Sequence, residues 1–233
     1  MYNPLQAPYH GHSNTQVMNK ISKKFVRLTF STKSIFLTIM LSGTISMGTF
    51  AQDKIIDAFK QSYSLEKNEN FKGAIESLKA VYQTDSYELN LRLGWLTYLA
   101  GQLPESEDYY SKAVALKPYA IEPKFGLVLP LSVQGKWTET EEIYQRILQV
   151  DPQNSLVNYR LGLIYYNRGN YDKADPYLEK VVNLYPFDYD GLILLAWNKL
   201  NLQKSRESKV LFQKVLMNNP DDPSALEGLK LIK

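Results

Sequence analysis

Two histidines, His10 and His12, are the only imidazoles in the chain, and cysteine is absent. Both histidines fall within residues 1–51, ahead of the part with a repeating pattern. From residue 52 onward, His- and Cys-based nucleophilic triads and most zinc sites are therefore excluded. Carboxylates are plentiful: Glu105–Asp108 reads ESED and Thr138–Glu142 reads TETEE. Paired carboxylates can hydrolyse glycosides, but they must face each other across a cleft, and nothing in the sequence sets them so. Each run lies where a helix starts, and acidic side chains there meet exposed N–H groups. Asp221–Asp222 reads as a loop rather than a calcium site, and there is no Gly-rich phosphate loop. No metal and no cofactor is expected.

The elements that carry these groups are helical. In Ser155–Pro186, Leu156, Tyr159, Leu163 and Tyr166 recur three and four apart, which predicts a helix. Arg168–Asn170 marks a turn around Gly169. Ala174, Leu178, Val181 and Leu184 form a second run that Pro186 ends. A lone hairpin cannot bury its apolar faces and needs neighbours. A step of 34 residues supplies them, aligning Pro118, Pro152, Pro186 and Pro220. The same step aligns Gly101, Gly135 and Gly169, with Gln203 departing, and Leu93, Leu127, Leu161 and Leu195. Gly94, Val128, Gly162 and Ala196 fill the next slot, mostly with small residues. A fixed period with fixed chemical roles is a solenoid signature.

On these residues the chain resembles the tetratricopeptide repeat family, whose unit is a helix–turn–helix of 34 residues. Leu161, Gly162, Tyr165, Ala174 and Pro186 carry the likeness in one unit; Leu93, Gly94, Tyr110 and Pro118 carry it in another. The resemblance implies an all-α superhelix of about five hairpins. They fall near 55–86, 87–120, 121–154, 155–188 and 189–222, with a short cap at 223–233.

The units are not equal. In the first, Asn68 and Asn70 stand in the turn where later units have Gly, and the terminal proline is lost. In the third, Pro130 falls inside the first helix; it removes the bond to the Gly126 carbonyl, so a kink or an early end is expected. Gly94 and Gly162 are expected where helices approach closely.

Residues 1–51 are of a different kind. Met1–Asn19 is polar, and translation beginning at Met18 is the alternative start. From Met18 a basic stretch precedes the apolar run Ser34–Gly48, and Thr49 and Ala51 supply small residues. That order predicts a secretory signal peptide cleaved after Ala51. An uncleaved anchor over residues 34–50 is the alternative, although the run is short and diluted for a membrane span. The chain has 27 Lys and Arg against 24 Asp and Glu, but five of the bases and none of the acids precede residue 52. The remainder is slightly acidic. No basic stripe argues for nucleic acid.

In tetratricopeptide proteins the first helices of successive hairpins line a concave face. Carried onto this chain, the groove-facing slots are Phe59 and Tyr63; Leu91, Trp95 and Tyr98; Phe125 and Leu129; Tyr159, Leu163 and Tyr166; and Ile193 and Trp197. The set is apolar and aromatic. It lacks the Lys, Arg and Asn grouping of a side-chain clamp on a terminal carboxylate. It suits an amphipathic helix or an extended peptide with large apolar anchors. The competing expectation is that a tightly coiled superhelix fills its own groove, which turns the aromatics into core.

The expected function is a non-catalytic protein–protein interaction scaffold that binds a peptide or protein segment, exported to the periplasm or cell envelope. A second copy burying the groove belongs to the same expectation. The alternative is a structural accessory subunit of an envelope or secretion assembly. A helical-repeat enzyme, for example one that modifies polysaccharides, is the remote third.

Overall fold

The structure, a computed structural model, describes residues 52–232. The segment expected to direct export lies outside the described residues. Helix α1 covers residues 52–67. It is followed by α2 (Phe71–Lys79), α3 (Tyr87–Leu99), α4 (Leu103–Leu116), α5 (Glu122–Val133) and α6 (Trp137–Val150). The series continues with α7 (Ser155–Asn167), α8 (Tyr171–Leu184), α9 (Tyr189–Asn201), α10 (Ser205–Asn218) and α11 (Pro223–Leu231). Odd and even helices pair as five hairpins, and α11 packs on α9 and α10. First helices also touch across hairpins, α3 on α5 and α7 on α9. Among the described residues, no helix is long and apolar enough to cross a membrane.

Local chemistry explains where the helices start and stop. Three first helices and α11 are capped by the side chain just before them. Ser86 accepts from the Leu89 N–H at 3.3 Å, Asn154 from Val157 at 3.1 Å, Asp188 from Gly191 at 2.7 Å and Asp222 from Ala225 at 2.8 Å. Each such cap contributes about 1 kcal/mol. In the third hairpin Ala120 stands at the corresponding repeat position and the N-cap is Ile121, so α5 has no side-chain cap; Pro123 lies in its first turn. Within each hairpin the turn needs one left-handed residue. Gly101, Gly135 and Gly169 supply it at φ 73°, 71° and 73°. In the first and last hairpins Glu69 (φ 58°) and Gln203 (φ 60°) take the same position. Asn68 and Asn70 do stand in the first turn, and Glu69 between them holds the left-handed position.

Pro130 does not end α5. The helix runs on to Val133, and Gln134 caps it with its N–H to the Pro130 carbonyl at 3.1 Å. The missing Pro130 N–H removes one bond near the end of the helix, and its i−4 partner is a glycine, which leaves the ring room. Pro176 likewise lies inside a continuous helix, α8.

Leu93, Leu127, Leu161 and Leu195 are all buried. The core falls into two clusters, one between α1 and α4 and a larger one from α4 to α11; Trp95 packs against both. The glycines let helices close. A Cβ on Gly162 would stand 2.4 Å from Leu178 Cδ2. The Tyr110 ring is held between Gly94 and Gly126, and Phe212 packs against Gly228 of α11. Buried polar side chains tie three of the first helices, α3, α5 and α7, to the loop before them. Asn90 Nδ2 donates to the carbonyls of Thr84 and Ser86, Asn158 Nδ2 to those of Pro152 and Asn154, and Lys124 Nζ to those of Pro118 and Ala120.

Candidate functional site

The twelve groove-slot residues lie on the first helices α1, α3, α5, α7 and α9. Eleven are half-buried and Tyr63 is exposed at 57%. Four of them meet in one cleft of about 390 Å³: Phe59 and Tyr63 from α1, Leu91 and Trp95 from α3. Glu88, Arg92, Tyr110, Glu122 and Gly126 complete its lining. A second cleft of about 580 Å³ shares Phe59, Tyr63 and Glu88 and reaches Asp85 and the start of α1. Further along, Phe125, Tyr159, Leu163, Tyr166, Ile193 and Trp197 pack at the margin of the larger core. Tyr98 lies beside Trp95, the ring centroids 6.0 Å apart, and Leu129 is half-buried on α5.

The two tryptophans are anchored differently. Trp95 Nε1 donates to Glu66 Oε1 at 2.7 Å, while Arg92 holds the other Glu66 oxygen at 2.5 Å. The Arg92 guanidinium also stacks 3.8 Å from the centre of the Tyr63 ring. Its charge is therefore neutralised within the wall of the cleft. Trp197 Nε1 donates to Ser224 of α11 at 2.8 Å, and its ring meets Phe212 edge-on at 5.3 Å. Trp197 is thereby committed to the last hairpin and its cap, whereas Trp95 still lines a cleft.

The charged side of the first cleft was not foreseen from composition. The Tyr87 hydroxyl donates to Glu122 at 3.2 Å. Burial, with help from that carboxylate, pushes the Tyr87 phenol up to about 12, so it stays a proton donor at neutral pH. Glu88 and Glu122 are 34 residues apart, so the repeat period held the signal.

The acidic runs have a second use besides helix-end stabilisation. Glu105 and Glu139 do lie in the first turns of α4 and α6. Glu107, Glu141 and Asp175, spaced by 34, instead reach into the next hairpin. Glu107 holds Lys136 at 2.7 Å and Gln134 at 3.1 Å. Glu141 accepts from Tyr165 and from Arg168, the latter at 2.6 Å. Asp175 accepts from Asn198 at 3.0 Å, Lys199 at 2.8 Å and Lys204 at 2.9 Å. Lys199, 3% exposed, also meets Glu179 at 2.5 Å and Glu207 at 3.0 Å. Burial alone would drive the Lys199 ammonium down, but these carboxylates outweigh it and hold its pKa above the usual lysine range. These contacts join neighbouring hairpins. Among the described residues, no group of three or more His, Cys, Asp or Glu could hold a metal.

Two tetratricopeptide repeat models match the chain, one at residues 59–121 and one at 134–188, between them half of its length. Among solved structures, a tetratricopeptide repeat protein from Parabacteroides merdae shares the fold with a TM-score of 0.65 and 21% identity, covering 76% of this chain and 71% of that one. The crystal structure of a MamA protein gives a TM-score of 0.63 at 20% identity, covering 72% of this chain and 93% of that one. The human protein O-mannosyl-transferase TMTC1 is 30% identical over 166 residues, which take in 66% of this chain. The match spans only 18% of that relative. With hairpins, turns, packing pairs and matched repeats in agreement, the chain belongs to the tetratricopeptide repeat family.

Proposed function

We propose that the protein captures a peptide or protein segment through the aromatic face of its first helices, and that it does so after export to the periplasm or cell envelope. The observation that carries the binding reading is the cleft in which Phe59, Tyr63, Leu91 and Trp95 converge without filling it. Large aromatics bury much area at small conformational cost, which suits them to binding centres. Peptides selected from a displayed library on the immobilised protein supply the ligand for the test. Trp95→Ala should weaken capture by at least about 2 kcal/mol. Its fold should suffer less than the roughly 3–5 kcal/mol expected for a fully buried Trp, because the ring is half-exposed and Glu66 keeps its Arg92 partner. Trp197→Ala, which breaks the contact with α11, should show the reverse balance. Full capture by a Trp95→Ala protein with a collapsed melting temperature would assign these aromatics to the core.

Export is supported by the basic, apolar and small-residue order of residues 18–51. N-terminal sequencing of protein from its native host should find Gln52 first. Recovery of Lys33–Ser46 in a membrane fraction would make the segment an anchor instead.

A second reading, an accessory subunit of an envelope or secretion assembly, is favoured by one feature. Leu116, Val150 and Leu184, spaced by 34, are exposed at the ends of three second helices, and Tyr119, Tyr185 and Phe187 are exposed in the loops that follow. Repeated apolar exposure along one edge marks an assembly surface. Leu116→Glu with Leu184→Glu should disrupt such an assembly while peptide capture survives.

A further inference from the structure

The clefts beside α1 are apolar in their walls but unbalanced in charge. The cation of the first cleft is already engaged: Arg92 is paired with Glu66 and stacked on Tyr63. Lys60, on the second cleft, meets only Asp57 in an exposed pair at 3.1 Å. Their carboxylates are not matched in the same way. Among the described residues, Glu122 accepts the Tyr87 hydroxyl and has no ion pair. Asp85, on the second cleft, has none either. Glu88, which lines both, meets only Lys117, at 3.5 Å and with both side chains more than half exposed. Exposed pairs of this kind contribute little. The acidic slot recurs at Asp190, on the next but one first helix, where burial and the nearby Asp188 raise the carboxyl pKa. Negative charge on low-dielectric walls focuses the field onto whatever enters.

Resting on the reading that this groove binds peptide, we infer that the segment it takes is cationic as well as apolar. It places a Lys or Arg among Asp85, Glu88 and Glu122 and lays an adjoining apolar side chain on Tyr63 and Trp95. The ring faces attract the same cation. An acidic segment meets like charge and is rejected.

The test uses the full chain and three probe peptides with one spacing of Leu and Phe anchors. Their polar positions are all Lys, all Gln or all Glu. Fluorescence anisotropy should show the Lys peptide binding about tenfold more tightly than the Gln peptide, and the Glu peptide more weakly than either. The preference should shrink at high salt. Glu88→Gln with Glu122→Gln should remove most of it, bringing the Lys peptide to the affinity that the same variant shows for the Gln peptide. Glu139→Gln with Glu142→Gln, the same charge change on the exposed face of α6, should not. Glu88→Lys with Glu122→Lys should gain the Glu peptide, a result that misfolding cannot produce. Equal binding of the Lys and Gln peptides, or a preference that survives Glu88→Gln with Glu122→Gln, would overturn the inference and leave the groove standing. Failure of all three peptides, together with capture by displayed peptides that ignores Trp95→Ala, would overturn the groove and the inference with it.

Discussion

Gly126→Ala should destabilise this protein, although helix propensity alone gives the opposite sign. In an exposed helix interior the change gains about 1 kcal/mol. Gly126 lies mid-helix in α5, and an added Cβ would stand 2.1 Å from Cε1, 2.5 Å from Cδ1 and 2.6 Å from Cζ of Tyr110. Carbon–carbon contacts settle near about 3.5–4.0 Å, so the ring would have to retreat by more than about 1 Å. Gly94 blocks the retreat, since its own Cβ position lies 2.8 Å from the same ring, which is 3% exposed. Overpacking costs about 1–3 kcal/mol, and a contact this short belongs at the upper end; less the propensity gain, a net loss of about 1–2 kcal/mol is expected. Urea denaturation followed by circular dichroism reads this as a lower midpoint at unchanged slope. Tyr110→Leu supplies the control. In that background Gly126→Ala should become neutral or stabilising, giving a coupling energy of at least about 1 kcal/mol. A stabilising Gly126→Ala in the parent protein would refute the packing of α4 on α5.

Two further outcomes follow from the same geometry. Burial alone would raise the Asp175 carboxyl pKa, but hydrogen bonds from Lys199 and Lys204 outweigh it and hold it below the usual carboxylate range. A depressed folded pKa contributes stability above the unfolded value of about 3.9, and that contribution is lost as pH falls through the folded value. Urea stability should therefore drop on acidification below about pH 4, and Asp175→Asn should flatten that limb while lowering the plateau. Gln203→Gly should stabilise. The left-handed turn costs a non-glycine residue about 1–2 kcal/mol, and glycine's extra freedom in the unfolded chain returns about half of it. Thermal melts read the gain, and a lower melting temperature would mean that Gln203 makes a compensating contact.

The hairpins were legible in the sequence because a repeat writes its own packing into residues at fixed spacing. Leu93 and its equivalents, the Gly94 and Gly162 contacts and the turn glycines are matters of one unit and its immediate neighbour, and a 34-residue step exposes them. The departures were less legible. Asn68 and Asn70 marked the first turn, but it is Glu69 between them that carries the left-handed φ, because the position is fixed by where α1 runs out rather than by residue type. Pro130 looked like a kink or an early end, yet α5 continues to Val133, because one lost bond near a helix end is offset by the packing of Leu127, Val128 and Leu131. What only the tertiary structure decided lies between hairpins. Glu107, Glu141 and Asp175 recur at the repeat period, and their partners share slots of the following hairpin: Lys136 with Lys204, Gln134 with Arg168 and Tyr165 with Lys199. That these slots meet the carboxylates depends on the angle between adjacent hairpins, which the period alone does not give. The fates of Trp95 and Trp197 diverge for the same reason. The two residues hold one slot of one repeat, but Trp95 faces Glu66 beside an open cleft and Trp197 faces the capping helix.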